Sequence, residues 1–170
     1  MRLRQSAMTL LMVLCCALFA ATASAAAHGP TLKDTQALKG LTEGKGVFMI
    51  DINDAGHVAH VLKVAEKTYT GMKKQGVKPH LVVVIIGPAV AFLTKDRRGI
   101  GYMDERAVSG LQKEVHKLAK MGIRTEACGV ALKGMDVSPD DLIQDVHAVG
   151  NGFISAIGYQ AQGYQLVPVY

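Results

Sequence analysis

Charge is scarce in this sequence. Charged residues make up 19% of its 170 positions and hydrophobic residues 49%, which excludes an intrinsically disordered chain. No one sign dominates: 19 lysines and arginines face 14 acids, a formal charge of +5, and this mild, scattered excess gives no footprint for nucleic acid. The chain has only three cysteines, too few for a disulfide scaffold. Its one long apolar stretch, Ala7 to Ala21, rises about 22 Å as a helix, short of the ~30 Å hydrocarbon core. Repeats and low-complexity tracts are missing beyond that leader, so collagen, coiled coil and multi-pass membrane protein are excluded as well. The chain contains no G-x-x-x-x-G-K-[ST] or G-x-G-x-x-G pattern, no G-x-S-x-G elbow and no C-x-x-C. Nucleotide binding, an esterase-type serine and a dithiol redox pair therefore lack their sequence carriers, and no cofactor is expected.

What is present begins with an address. Arg2 and Arg4 precede the apolar stretch, and small residues with an A-x-A pattern at Ala23-Ser24-Ala25 follow it. Residues 1–25 read as a secretory signal peptide, cut near Ala25 or Ala27. The expected location is periplasmic or secreted, with no membrane attachment after cleavage. Removing 25 of 170 residues leaves 145, one domain's worth. The remainder carries 17 basic against 14 acidic residues, +3. Cys15 and Cys16 leave with the leader, so Cys128 becomes the sole thiol. It is then buried, paired with another molecule, or reactive.

Residues 26–45 read as a flexible lead-in, and 46–170 as an α/β domain. VFMIDI (47–52) reads as a strand, and Asp54 as the cap of a helix over 55–75 with Val58, Val61, Leu62, Ala65, Tyr69 and Met72 on one stripe. Gly76-Val77 after two lysines is a helix stop. HLVVVIIG (80–87) is β-branched without alternation, as in a strand covered on both faces. A short helix over 88–94, a helix over 105–120 and a strand over 123–128 follow. Ser138-Pro139-Asp140-Asp141 predicts a helix burying Leu142, Ile143, Val146 and Val149. FISAIG (153–158) reads as a fourth strand and QLVPVY as a last extended piece. The alternation implies a three-layer α/β/α sandwich with a mostly parallel sheet of about five strands.

Ligands of open parallel sheets gather outside the carboxyl ends of the strands. That rule nominates Asp51, Asn53 and Asp54 after the first strand, Gly87 after the second, and Cys128 with Gly129 after the third. His57, His60 and Lys133 could supply positive charge to the thiol. A thiolate there could attack a sulfane sulfur and hold it as a persulfide; the same cysteine could equally be a small apolar packing residue. Asp51, Asp54, His57 and His60 could hold a metal with Cys128, but their spacing matches no metal motif, and a helix cap with a solvated first turn accounts for them; no metal is assigned. Arg97 and Arg98 lie in a charged loop that could hold an anion or simply be solvated.

The order of elements resembles the DsrE/DsrF-like family, in particular its small exported members. The resemblance is carried by VVVIIG followed by Val90 and Leu93, by Glu126-Ala127-Cys128, and by the closing QAQGYQLVP. It implies a parallel α/β/α sandwich assembled as homo-oligomers such as trimers or hexamers. It also implies that Cys128, at the position of the sulfur-carrying cysteine of cytoplasmic members, is the catalytic candidate, partnered by a sulfur donor or acceptor protein. The expected function is a persulfide carrier rather than a turnover enzyme, with Cys128 open to solvent. The alternative is a non-catalytic oligomeric module that binds a small ligand or metal, with a structural cysteine.

Overall fold

Strand β1 (Glu43–Ile50) and strand β2 (Lys78–Ile85) carry apolar runs at their carboxyl halves, and they are interior strands of the sheet. The computed structural model describes residues 32–97, 100–102 and 104–170; the expected signal peptide, residues 1–25, therefore lies outside the described residues. Thr35–Tyr170 forms one compact unit. β1 begins at Glu43, so Glu43 to Lys45 of the expected lead-in belong to the sheet. β3 (Arg124–Cys128), β4 (Val146–Val149) and β5 (Gln165–Val169) complete five strands, all parallel, in the order β4-β3-β2-β1-β5. The edges are short: β4 has four residues, and β5 contains Pro168.

Helices α1 (Ala55–Lys74) and α2 (Glu105–Lys120) cover one face. Asp54 caps α1 by accepting the His57 N–H at 2.6 Å. Both helices stop alike. Val77 N–H reaches Met72 O at 3.0 Å and Ile123 N–H reaches Leu118 O at 3.0 Å, with Gly76 (φ +82°) and Gly122 (φ +79°) supplying the left-handed turn. Strand alternation sends Phe48, Ile50, Leu81, Val83, Ile85 and Ala127 into this larger core. Val47, Val82, Val84, Ile86 and Cys128 point to the opposite face and form a smaller one.

That opposite face is covered by α4 (Gly152–Ala161), where the sequence reading places a strand. The chain runs from β1 to β4 in one direction and returns to place β5 beside β1. A right-handed crossover travelling backwards must put its helix on the other face. The residue pattern misleads because it is inverted. The small Gly152 and Ala156 are buried against the sheet, whereas Phe153, Ile154 and Ile157 point outward. Asn151 caps the helix through the Phe153 N–H at 2.9 Å.

The expected helix after Ser138 is also corrected. The cap forms, with Asp140 N–H on Ser138 Oγ at 3.3 Å, but the turn lasts only over Pro139–Asp141. Leu142 then bridges to Thr94, and Val146–Val149 becomes edge strand β4; of the four expected core residues only Leu142 is buried. Two smaller elements sit at the carboxyl edge: a 3-10 helix over Gly87–Leu93 and α3 (Gly129–Gly134).

Candidate functional site

The carboxyl edge of the sheet assembles the nominated residues, but into separate places. Asp51 follows β1, is exposed, and sets its carboxylate over Gly87, whose φ of +57° and missing Cβ leave that space free. Asp54 is consumed as a cap, and His57 and His60 are exposed on α1. Asn53 lines a cavity of about 410 Å³ with Pro88, Phe92, Asp104 and Asp136. Lys133 and Gly129 line an adjoining cavity of about 430 Å³, which shares Asp136, Val137 and Asp141 with the first. Cys128 is among the lining residues of neither. Among the described residues no three His, Cys, Asp or Glu side chains group as a metal site.

Cys128 is in the expected position and in an unexpected environment. It ends β3, but it is 3% exposed rather than open to solvent. Parity of the strand turns it toward α4, where it packs with Val47, Val82, Val84 and Ile86. Its sulfur accepts the Gly152 N–H at 3.1 Å, the first residue of α4. Gly152 fits only because it lacks a side chain: a Cβ would lie 2.6 Å from Ile86 Cγ2 and 3.1 Å from Cys128 Cβ. Gly129 does permit a close approach, though of this chain's own backbone. A Cβ there would stand 2.7 Å from Val149 O.

Sequence reasoning missed the polar cluster two residues away. Glu126 shares Cys128's face and is 3% exposed. Its carboxylate accepts from Arg124 Nε at 2.7 Å, from Tyr159 Oη at 2.9 Å and from Ser155 Oγ. A buried carboxylate is costly unless its oxygens are filled, and here three donors fill them. Two of the donors come from α4, so the cluster ties that helix to β3. Burial pushes the Tyr159 phenol up from 10.0 to about 12, aided by its hydrogen bond to Glu126 and that carboxylate's charge. The signal was an acid in the middle of a short strand, two residues after an arginine on the same face.

These features define an all-parallel α/β/α protein with the Cys128 thiol sealed beneath a helix at the carboxyl edge of its sheet. The chain belongs to the DsrE/DsrF-like family, whose model matches residues 45–169, a family associated with sulfur relay. Its fold is similar to that of a protein of unknown function, MTH1491, from Methanobacterium thermoautotrophicum. The two are 21% identical with a TM-score of 0.58 over 74% of this chain and 98% of that one. The ychN protein from E. coli is similar at 16% identity and a TM-score of 0.53, over 75% and 99% of the two chains. No curated protein matches.

Proposed function

We propose that this protein is an exported, oligomeric DsrE-like module that binds a small ligand at the carboxyl edge of its sheet, with Cys128 as a packing residue. The enclosure of Cys128 carries this reading. A thiol 3% exposed in an apolar cluster is an inert small hydrophobe in the folded chain. The outward face of α4 supports assembly: Phe153, Ile154 and Ile157 are more than half exposed on one short helix, an unusual surface for a lone chain. The cavity beside Asn53 supports ligand binding where parallel sheets offer it. Export rests on the leader pattern of residues 1–25. The test is alkylation of Cys128 in native protein, combined with light scattering. This reading expects slow labelling and a multiple of the chain mass that drops for Ile154→Asp with Ile157→Asp. Labelling at the rate of an unfolded-chain thiol, or a monomer throughout, overturns it.

A second reading is favoured by the Gly152 N–H on the sulfur. A helix N-terminus stabilises negative charge, and so would suit a thiolate. Here α4 lifts, and the Cys128 thiolate attacks the outer sulfur of a donor persulfide. The new sulfur–sulfur bond forms as the donor's breaks, and the donor leaves as a thiolate. An acceptor thiolate then takes the same sulfur from Cys128. Mass spectrometry of protein from its own compartment separates the two readings, since only the second expects added sulfur on Cys128 and its loss in Cys128→Ser.

A further inference from the structure

The loop after the first 3-10 helix lays Arg97 against α2. Its Nη1 donates to Ser109 Oγ at 2.7 Å and its Nη2 to Gln112 Oε1 at 3.1 Å. Gln112 is itself fixed, with Nε2 donating to the carbonyls of Phe92 at 3.0 Å and Thr94 at 2.9 Å. Neutral acceptors thus orient the guanidinium without cancelling its charge. None of the ion pairs among the described residues involves it. A planar guanidinium held this way keeps further N–H groups for an oxyanion.

Lys113, His116, Lys117 and Lys120 continue from there along one face of α2, at helical steps of three and four. With Ile143, Gln144 and Asp145 they wall a groove of about 670 Å³. From Ser109 to Lys120 the groove follows the helix for about 16 Å at 1.5 Å per residue. Two of its side chains are engaged: Lys117 Nζ lies 2.7 Å from Glu66, and His116 Nδ1 lies 2.6 Å from Asp145. Asp145 is the groove's one lining acid, and its backbone takes φ +75°. Arg97, Lys113 and Lys120 enter no ion pair among the described residues.

We infer that this groove binds a linear oligophosphate, a small anion with several phosphoryl groups in a row. Three uncompensated cations strung along a helix exceed what one phosphate can span. A solvated helix face would explain the lysines, but not an arginine brought from another segment and fixed by a relay of neutral side chains. Among the described residues no Phe, Tyr or Trp lines the groove, and the one imidazole, His116, is held by Asp145, so a base finds little stacking platform. Recognition is of the phosphoryl chain.

Isothermal titration of the full protein with tripolyphosphate, ATP and orthophosphate tests this at low and physiological salt. The expected result is saturable 1:1 binding of tripolyphosphate, ATP no tighter, and orthophosphate much weaker. Arg97→Gln should weaken binding by roughly tenfold or more, the loss of one charge-assisted contact. Lys113→Gln with Lys120→Gln, both at exposed positions, should weaken it without altering the fold. Asp145→Asn, which tolerates the same backbone angle, should tighten it by removing the competing acid. Failure of tripolyphosphate to saturate, unchanged affinity in the lysine pair, or ATP binding tenfold tighter than tripolyphosphate overturns the inference.

Discussion

Tyr159→Phe isolates what holds α4 over the thiol. The substitution deletes one hydroxyl and leaves the ring, the Ser155 and Arg124 contacts, and the apolar packing in place. A hydrogen bond to a charged group contributes about 1.5–3 kcal/mol. Tyr159 is only partly buried, so water can replace some of this, and about 1–2 kcal/mol is the expected loss. Where α4 detaches as a unit while the larger core stays folded, that loss multiplies the open population by roughly 5–30. Cys128 should then react with iodoacetamide faster by the same factor, while far-UV circular dichroism stays constant. The rate is measured in dilute protein at neutral pH with reclosing fast against alkylation. An unchanged labelling rate in a variant that does lose stability to urea would refute the reasoning. The thiol would then be exposed only by global unfolding, and Glu126 would not act as the tether of α4.

Three further outcomes follow from the same geometry. The Tyr159 phenol is held protonated in the fold, with a pKa of about 12 against 10.0 unperturbed. Its contribution to stability should be intact below pH 10 and lost as pH rises from 10 to about 12; absorbance titration and urea unfolding, each repeated in Tyr159→Phe, check this. Gly152→Ala drives a Cβ to 2.6 Å from Ile86 Cγ2 and should cost about 1–3 kcal/mol by overpacking, read as a lower urea midpoint. Asp54→Ala removes the bond to the His57 N–H and should cost about 1 kcal/mol without changing exposure of Cys128.

The two long helices and the central strands were legible because their signals agree at every level. Asp54, the stripe from Val58 to Ala65, and the Gly76 stop all indicate one helix, and it runs over Ala55–Lys74. Strand β2 was legible from β-branching alone. α4 was not, because the apolar run 153–158 carries no helical period when the buried positions are Ala156 within it and Gly152 just before it. The Ser138 cap was read correctly and its helix was not, since a cap specifies only a first turn. After it, pairing of Val146–Val149 with β3 outcompetes further winding. As for the site, sequence placed Cys128 at the right strand end. Its burial depends on a crossover that returns over the opposite face, which no local pattern encodes. Arg97 was visible as a charge, while the Ser109 and Gln112 acceptors that orient it lie on another element.

The margins of the sheet govern how copies of the chain could join. A parallel sheet can lengthen without limit if a neighbour adds its own strand along an open border. Four-residue β4 offers little length for such a zipper, and Pro168 deprives β5 of one amide donor. Fibril-like growth is thereby discouraged on both flanks. Any self-association would then use surfaces where a rotation can close on itself, which gives particles of finite size.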